Sequence, residues 1–489
     1  MTNSRIMASL TEKVGYGLGD MSSSMFWKVF SYYLPFFYSN IFGLSLVDAG
    51  VLVLVTRVWD ALSDPMMGIV ADRTSTRWGK YRPYLLWVAA PFSICGILLF
   101  TTPDWSYGAK LVWAYVTYIL MMTVYTGINV PYGAMLGVIS ENSREKTVFS
   151  AYRMFFAYGG SFVALAVWEP LCDMFSDLFG LSLQSSWQMS MAVIAVACFV
   201  LFIGCFLFTR EHLHTVSNVS IMRDFKALIC NRPWWILVGA ALCFNLFCTV
   251  RGATVAYFFA DVIGPDANLC IFTLSFVFYS GLFLSIGEVA NMAGVALTVP
   301  VSGALGKKST FICVNVLLVI LSVAFFYVPL TAGGYWWMLI LQIAISLLTG
   351  MMSPLIWSMY ADVSDYSELR YRTASTGLIF SSSSMAQKFG GAIGGAAVLW
   401  LLEMGGYSVN TGVADQQIVQ PAGAIAWLWY LMTFIPAAIS VLAVVIVWFY
   451  PLTTKRVDEM AVELKSLRAD SDKDIPQQDE MTDYANTNS

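Results

Sequence analysis

The chain has 489 residues, of which 58% are hydrophobic and only 12% charged, with a formal net charge of −4. A soluble domain carries about a quarter of its residues as Asp, Glu, Lys and Arg, so these charges are too few to cover a water-exposed surface of this size. The composition excludes a soluble enzyme or a nucleic-acid-binding protein and points to a chain that lies in a lipid bilayer.

The opening stretch, Met1 to Lys13, is polar and short and has no apolar core followed by small residues, so the first span is expected to do the targeting itself. A bilayer-spanning helix needs about 20 mostly apolar residues. By that length the chain reads as twelve spans: Gly15–Ile41, Leu46–Val70, Tyr84–Thr102, Leu111–Leu136, Ser150–Leu171, Met189–Thr209, Trp234–Val262, Phe272–Val301, Thr310–Pro329, Trp336–Ala361, Thr373–Leu402 and Ala424–Tyr450. With a cytoplasmic N-terminus, 21 of the 27 Lys and Arg fall in tails and loops on the cytoplasmic side. Only Lys110 lies in a loop facing outward. The positive-inside rule therefore places both termini in the cytoplasm. The nine cysteines sit mostly in apolar runs without metal-ligand spacing and read as packing residues.

The polar stretch 210–232 divides the spans six and six, giving an N-terminal half (1–209), a cytoplasmic linking loop, a second half (233–450) and a mostly disordered cytoplasmic tail (451–489). The halves echo each other. After span two comes Gly68-Ile-Val-Ala-Asp72-Arg73, then Arg77, Gly79-Lys80 and Arg82; after span eight comes the reduced form Gly303-Ala-Leu-Gly306-Lys307-Lys308. A repeated six-helix unit with a tight basic loop in the same place is the layout of the major facilitator fold. The expected class is thus an all-α membrane protein of twelve transmembrane helices in two six-helix halves.

Ionisable residues inside spans are costly and persist mainly where they face a pathway or a partner. Span two carries Arg57, Asp60, Ser63 and Asp64, with Arg57, Asp60 and Asp64 on one helical face. Two carboxylates four residues apart can converge on a small cation or share a proton, and sodium, a hard cation, favours such oxygen ligands. The competing reading is an internal ion pair in which Arg57 neutralises one acid. Span four adds Thr126 and Asn129, followed by Pro131, whose kink could free backbone carbonyls. Lys28, Arg153, Arg251, Glu288 and Lys388 are the other candidates. Five in-span cations (Lys28, Arg57, Arg153, Arg251, Lys388) against three central carboxylates (Asp60, Asp64, Glu288) leave an excess that an anionic substrate such as a uronate would neutralise. In the alternative, Arg153 and Lys388 snorkel to the interface. Trp27, Tyr125, Tyr132 and Trp357 lie beside polar in-span residues and are candidates for a cavity wall.

The segment Arg57-Val-Trp-Asp60-Ala-Leu-Ser-Asp64-Pro65-Met-Met-Gly68 resembles the span-two signature of the glycoside–pentoside–hexuronide:cation symporters, the group containing the melibiose permease. Further matches are Arg77-Trp-Gly-Lys-Tyr-Arg-Pro83, Asn129-Val-Pro-Tyr132, Tyr152-Arg153-Met, Tyr360-Ala-Asp362-Val-Ser-Asp365-Tyr-Ser-Glu368 and Lys388-Phe-Gly-Gly391. The resemblance implies that Asp60 and Asp64 are cation-site carboxylates with Thr126 from span four, and that Ser63 stands at a position tied to ion choice. It implies that Arg153 and Lys388 sit at the sugar cavity or its cytoplasmic gate, and that Asp72, Arg73, Arg77, Asp362 and Asp365 belong to gate or loop motifs. Two departures bear on substrate. The galactoside-binding Lys-Asp pair of span one falls on Ser23 and Ser24, and the sugar-binding Asp of span four falls on Asn129, so Lys28, one turn after Ser24, would be the replacement positive group.

The expected function is import of a sugar, glycoside or hexuronide, coupled to Na+ or H+, by alternating access in a bacterial inner membrane. An uncoupled uniporter or exporter, or a sugar sensor acting through the 455–489 tail, are the alternatives. No phosphate-binding glycine loop or zinc spacing is present, so neither an enzyme, a nucleic-acid partner nor a cofactor beyond the coupling ion is expected. His212 and His214 in the linking loop read as solvated, and a monomer is expected to suffice.

Overall fold

The computed structural model describes residues 9–139, 143–211, 228–264, 267–271, 274–371, 376–409, 419–460 and 462–463. Its helices are α1 (Leu10–Phe36), α2 (Leu46–Arg73), α3 (Arg82–Trp87), α4 (Ala89–Leu99), α5 (Tyr107–Val138), α6 (Ser143–Phe179) and α7 (Leu183–Phe208). After the link come α8 (Arg232–Phe258), α9 (Ser280–Leu305), α10 (Lys307–Phe326), α11 (Ala332–Tyr371), α12 (Thr376–Met404), α13 (Ala422–Met432) and α14 (Phe434–Trp448). Side-chain oxygens of Ser9, Ser45, Ser182 and Asn231 cap the N-termini of α1, α2, α7 and α8 and take up otherwise unpaired N–H groups.

Two spans read as single helices are broken. Pro91 cannot offer an N–H to Trp87, and the helix divides at Val88 into α3 and α4. Pro436 likewise leaves the carbonyl of Met432 unpaired within its own helix, and the chain divides at Thr433 into α13 and α14. By contrast Pro65, Pro131, Pro300 and Pro354 lie inside continuous helices. The span expected from Phe272 begins instead at Ser280. Before it, Asn268–Ile271 (β1) pairs antiparallel with Leu274–Val277 (β2). An apolar run of this length is compatible with strand or helix, so periodicity could not separate them.

Among the described residues, nine helical spans are long and apolar enough to cross a membrane, with Ala422–Trp448 counted as one. Adding α1, α2 and the α3–α4 pair makes twelve rods. The first two of these, α1 and α2, are outside the nine, and they are the helices that carry Asp20, Lys28, Arg57, Asp60 and Asp64.

The first seven helices meet the last seven along three seams: α1 with α8, α2 with α12 and α6 with α9. The seams are closed at the end of the bundle away from the termini. Glu169 of α6 accepts hydrogen bonds from Tyr33 (2.8 Å), from Ser280, and from the backbone N–H of Gly281 (3.1 Å) in the first turn of α9. Asn40 donates to Tyr407 (3.0 Å), which donates to Asp261 (2.6 Å), and Ser39 pairs with Tyr257 (2.7 Å).

At the opposite end the two basic loops are anchored alike. The Glu211 carboxylate accepts from the backbone N–H groups of Lys80, Tyr81 and Arg82 at 2.8, 2.7 and 2.6 Å. Gly79 has φ +116°, and a Cβ there would lie 2.6 Å from that carboxylate carbon, so only glycine fits. In the second loop Gly306 (φ +80°) abuts Thr454, while Lys308 donates to the carbonyls of Trp448 and Tyr450, both at 2.8 Å.

Candidate cation and substrate site

α2 and α5 run side by side, and their contact holds the charged face of α2. Asp60 is completely buried, whereas the Asp64 side chain keeps 29% of its surface exposed. The Thr126 hydroxyl lies 3.0 Å from Asp64 Oδ1 and 3.2 Å from Asp60 Oδ1, so it stands between the two acids. Ser63 lies within reach of Thr126 Oγ1 (3.2 Å) and of the Asp60 carbonyl (3.0 Å). Four oxygens from two helices thus converge, and Asp60 Oδ2 is buried without a partner among the described residues.

The positive charge on this cluster comes from α12. Lys388 Nζ is 3.2 Å from Asp60 Oδ1 and hydrogen-bonds Asp64 Oδ2. The competing reading, in which Arg57 neutralises one acid, is therefore corrected: the internal counter-ion is Lys388. Among the described residues Arg57 makes no ion pair, and its guanidinium lies over the rings of Trp27 (4.5 Å) and Phe30 (5.2 Å). A base N-terminal to an acid on one helix is the poorer order for pairing, and the aromatic face of α1 offers a cation–π alternative. Lys388 does not snorkel to an interface either, because two carboxylates hold it inside.

Two cavities flank the contact of α1 with α8. The first, about 240 Å³, is lined by Trp27, Ser31, Arg57, Asn245, Gln387 and Lys388 among others. The second, about 230 Å³, is lined by Lys28, Tyr32, Arg251, Glu288, Asn291 and Gln342 among others. Of the expected substrate residues, Trp27 and Lys388 face the first, and Lys28 and Arg251 the second.

The rest lie elsewhere. Tyr132, expected at a cavity wall, is fully buried, stacked on Tyr16 at 4.7 Å and donating to the Tyr16 carbonyl at 2.7 Å. Arg153 pairs with Asp20 at 2.8 Å and lies over the Tyr132 ring, away from both cavities. Asn129 accepts from Ser23 at 3.4 Å, tying α5 to α1. Tyr125 packs against Trp27 (5.1 Å), and Trp357 lies near Tyr360 (6.1 Å). Ser24, Asn129, Tyr125 and Trp357 line neither cavity.

Arg251 also has structural work. It donates from Nη1 to the Met432 carbonyl freed by Pro436 (2.7 Å) and from Nη2 to Gln342 (3.0 Å). Lys28 pairs with Glu288 at 2.6 Å across the α1–α9 gap.

Among the gate candidates, Asp362 is held by Lys307 at 2.7 Å, with Asp365 half-buried one turn on. Arg73 and Arg77 are exposed, the latter over the Trp78 ring at 4.5 Å. The side chain of Asp72, and His212 and His214, lie outside the described residues.

Four acids inside the expected spans escaped the sequence reading: Asp20 and Glu169, and, close to the span ends, Asp48 and Asp261. They raise the in-span acids from three to seven, against five bases. The excess of positive charge on which an anionic substrate was argued is therefore gone. A plain tally of every acid inside the spans would have found all four.

A bundle of this kind, with charge pairs buried between two groups of helices and closed at one end, defines a multi-pass membrane carrier of the major facilitator class. The sequence profile of MFS/sugar transport proteins matches residues 15–454, and the chain belongs to that family. It is similar to the inner membrane symporter YicJ of Escherichia coli (31% identity over 93% of this chain and 95% of the relative). It is also similar to an isoprimeverose transporter of Lactiplantibacillus pentosus (33%, 84% of each) and to a glucuronide carrier protein homolog of Escherichia coli (30%, 92% and 94%). Among solved structures, the nucleoside transporter NupG has a TM-score of 0.63 at 14% identity, covering 89% of this chain and 98% of that one. The chain is a multi-pass inner-membrane protein of the sugar-transport group.

Proposed function

We propose that this chain is a symporter that couples Na+ or H+ to the import of a sugar, glycoside or hexuronide. The observation that carries the reading is the Lys388 ammonium seated between Asp60 and Asp64, with the Ser63 and Thr126 hydroxyls at hand. Two acids and two bases (Arg57, Lys388) balance locally. An arriving cation competes with Lys388 for the carboxylates and so acts on the α2–α12 seam that this lysine bridges. Each ligand then raises the affinity for the other, as linkage requires. The donor set suits a small hard cation: all oxygens, two of them charged. The relatives named for isoprimeverose and glucuronide support a sugar or sugar acid as cargo. In this reading the halves 1–209 and 233–450 rock about the site, the 210–232 link and 451–489 tail lie in the cytoplasm, and a monomer suffices.

The test is accumulation in proteoliposomes under a Na+ or pH gradient. Asp60→Asn and Asp64→Asn are expected to lower gradient-driven accumulation at least about ten-fold while sugar exchange persists, since about 1.4 kcal/mol of lost ion binding is already tenfold. Full accumulation by both variants would refute the coupling site. The second reading, an uncoupled uniporter or exporter, draws on the same lysine, because a permanent internal counter-ion leaves no room for a travelling one. Equilibration by the unmodified chain that ignores both gradients would favour it.

A further inference from the structure

The second cavity has no part in the cation cluster. It lies between α1, α6, α8, α9 and α11, and its most distinctive group is Glu288. That residue is 2% exposed; its Oε1 accepts from Lys28 at 2.6 Å, and its Oε2 is buried with no partner among the described residues. Lys28 in turn donates to the Tyr32 hydroxyl at 3.2 Å, which leaves the Glu288 carboxylate fixed in place. Arg251 Nε, in the same wall, is also buried without a partner.

A buried charged acceptor with one oxygen unpaired is unfavourable by more than an ordinary lost hydrogen bond. Its natural complement is a ligand that brings donors. The surroundings specify what kind. The aromatic side chains of Tyr32, Tyr158 and Phe247 line the cavity, as do the amides of Asn291 and Gln342 and the hydroxyl of Ser346, with Gln342 held between Arg251 and Ser346. Flat apolar faces suit the C–H side of a sugar ring, and a carboxylate with amides suits its hydroxyls. At about 230 Å³ the cavity is smaller than the roughly 300–1,000 Å³ of drug-sized sites, so it takes one sugar ring, with any aglycone or second ring outside.

Resting on the reading of the chain as a sugar symporter, we propose that this cavity is the sugar site. Glu288 Oε2 accepts a hydroxyl hydrogen bond from the bound ring, while Lys28 holds the carboxylate in position. The charge pair that joins α1 to α9 is then part of the substrate site, so sugar binding bears directly on whether the two groups of helices stay together.

Cys248 lines the same cavity, whereas Cys230 is exposed outside it. The experiment uses the unmodified full chain in nanodiscs with p-nitrophenyl β-D-xyloside, glucoside, galactoside and glucuronide and the free sugars as probes. Thermal stabilisation reports binding, and peptide mass spectrometry follows alkylation of Cys248 and Cys230 by N-ethylmaleimide. The probe that stabilises is expected to slow labelling of Cys248 several-fold and leave Cys230 unchanged. Glu288→Gln is expected to weaken that probe by about ten-fold or more, as for a lost charged hydrogen bond, with the ion response of stability retained. A stabilising probe that leaves Cys248 labelling unchanged, or binds Glu288→Gln as tightly as the unmodified chain, overturns the sugar site and leaves the symporter reading intact. Stabilisation by none of the probes overturns both.

Discussion

Arg153 and Asp20 show how one unnoticed partner changes a residue's role. Alone in a membrane span, an arginine points to a ligand; beside an aspartate at 2.8 Å, over the Tyr132 ring and away from both cavities, it ties α6 to α1. Breaking a fully buried pair from one side costs about 3–5 kcal/mol. The Arg153 side chain keeps 30% of its surface exposed, so a smaller loss of about 2 kcal/mol is expected for Asp20→Asn. Thermal unfolding should show that loss with sugar affinity unchanged, and Asp20→Asn with Arg153→Met together should lose less than the two singly. A sugar-binding defect in the folded Asp20→Asn variant would return Arg153 to the substrate site. Arg251 is a mixed case, because it pairs the Met432 carbonyl that Pro436 leaves open and still faces a cavity with its Nε.

Helices in lipid gain little from excluding water and associate by close backbone packing, which favours small residues at their contacts. α9 and α11 meet in this way. A Cβ on Gly294 would overlap the Leu347 carbonyl, and one on Gly350 would overlap the Asn291 carbonyl. Neither obstacle is a flexible side chain that could move aside. Gly350→Ala is therefore expected to lower stability by about 1–3 kcal/mol, the usual range for overpacking, read as earlier heat inactivation in detergent. Unchanged inactivation would mean that the two helices separate freely. The contact also sets cavity geometry, since Asn291 and Gly350 both line the second cavity.

At the scale of the whole molecule, the ion pairs and hydrogen bonds between the two groups of helices among the described residues run from the Lys388 cluster, through Lys28–Glu288, to the Glu169 and Tyr407 hydrogen bonds. If the halves rock, the α2–α12 seam must open. A Cβ at Gly395 would lie 3.1 Å from Val53 Cγ1, close enough for a bridge. A Val53→Cys, Gly395→Cys chain should lose transport on oxidation and regain it on reduction. Undiminished transport by the cross-linked chain would exclude opening along this seam.

The membrane class, the run of spans and the acidic face of α2 were legible in the sequence, because hydrocarbon imposes length and apolarity on every crossing helix, and the spacing of Asp60 and Asp64 is local to one helix. The repeated basic loop was legible for the same reason, as a short contiguous pattern around Gly79 and Gly306. The β1–β2 hairpin and the breaks at Val88 and Thr433 were not, since hydropathy sums residues and does not follow backbone hydrogen bonds. Nor could the pattern of one helix choose partners on another. That Lys388 rather than Arg57 meets the α2 acids, that Glu288 meets Lys28, and that Asp20 removes Arg153 from the cavities were decided only when α1, α2, α6, α9 and α12 came together. In a medium of low dielectric, the position of each charge is set by the partners nearest in space, an opposite charge for Lys388 and an aromatic face for Arg57, which the order of residues along the chain does not specify.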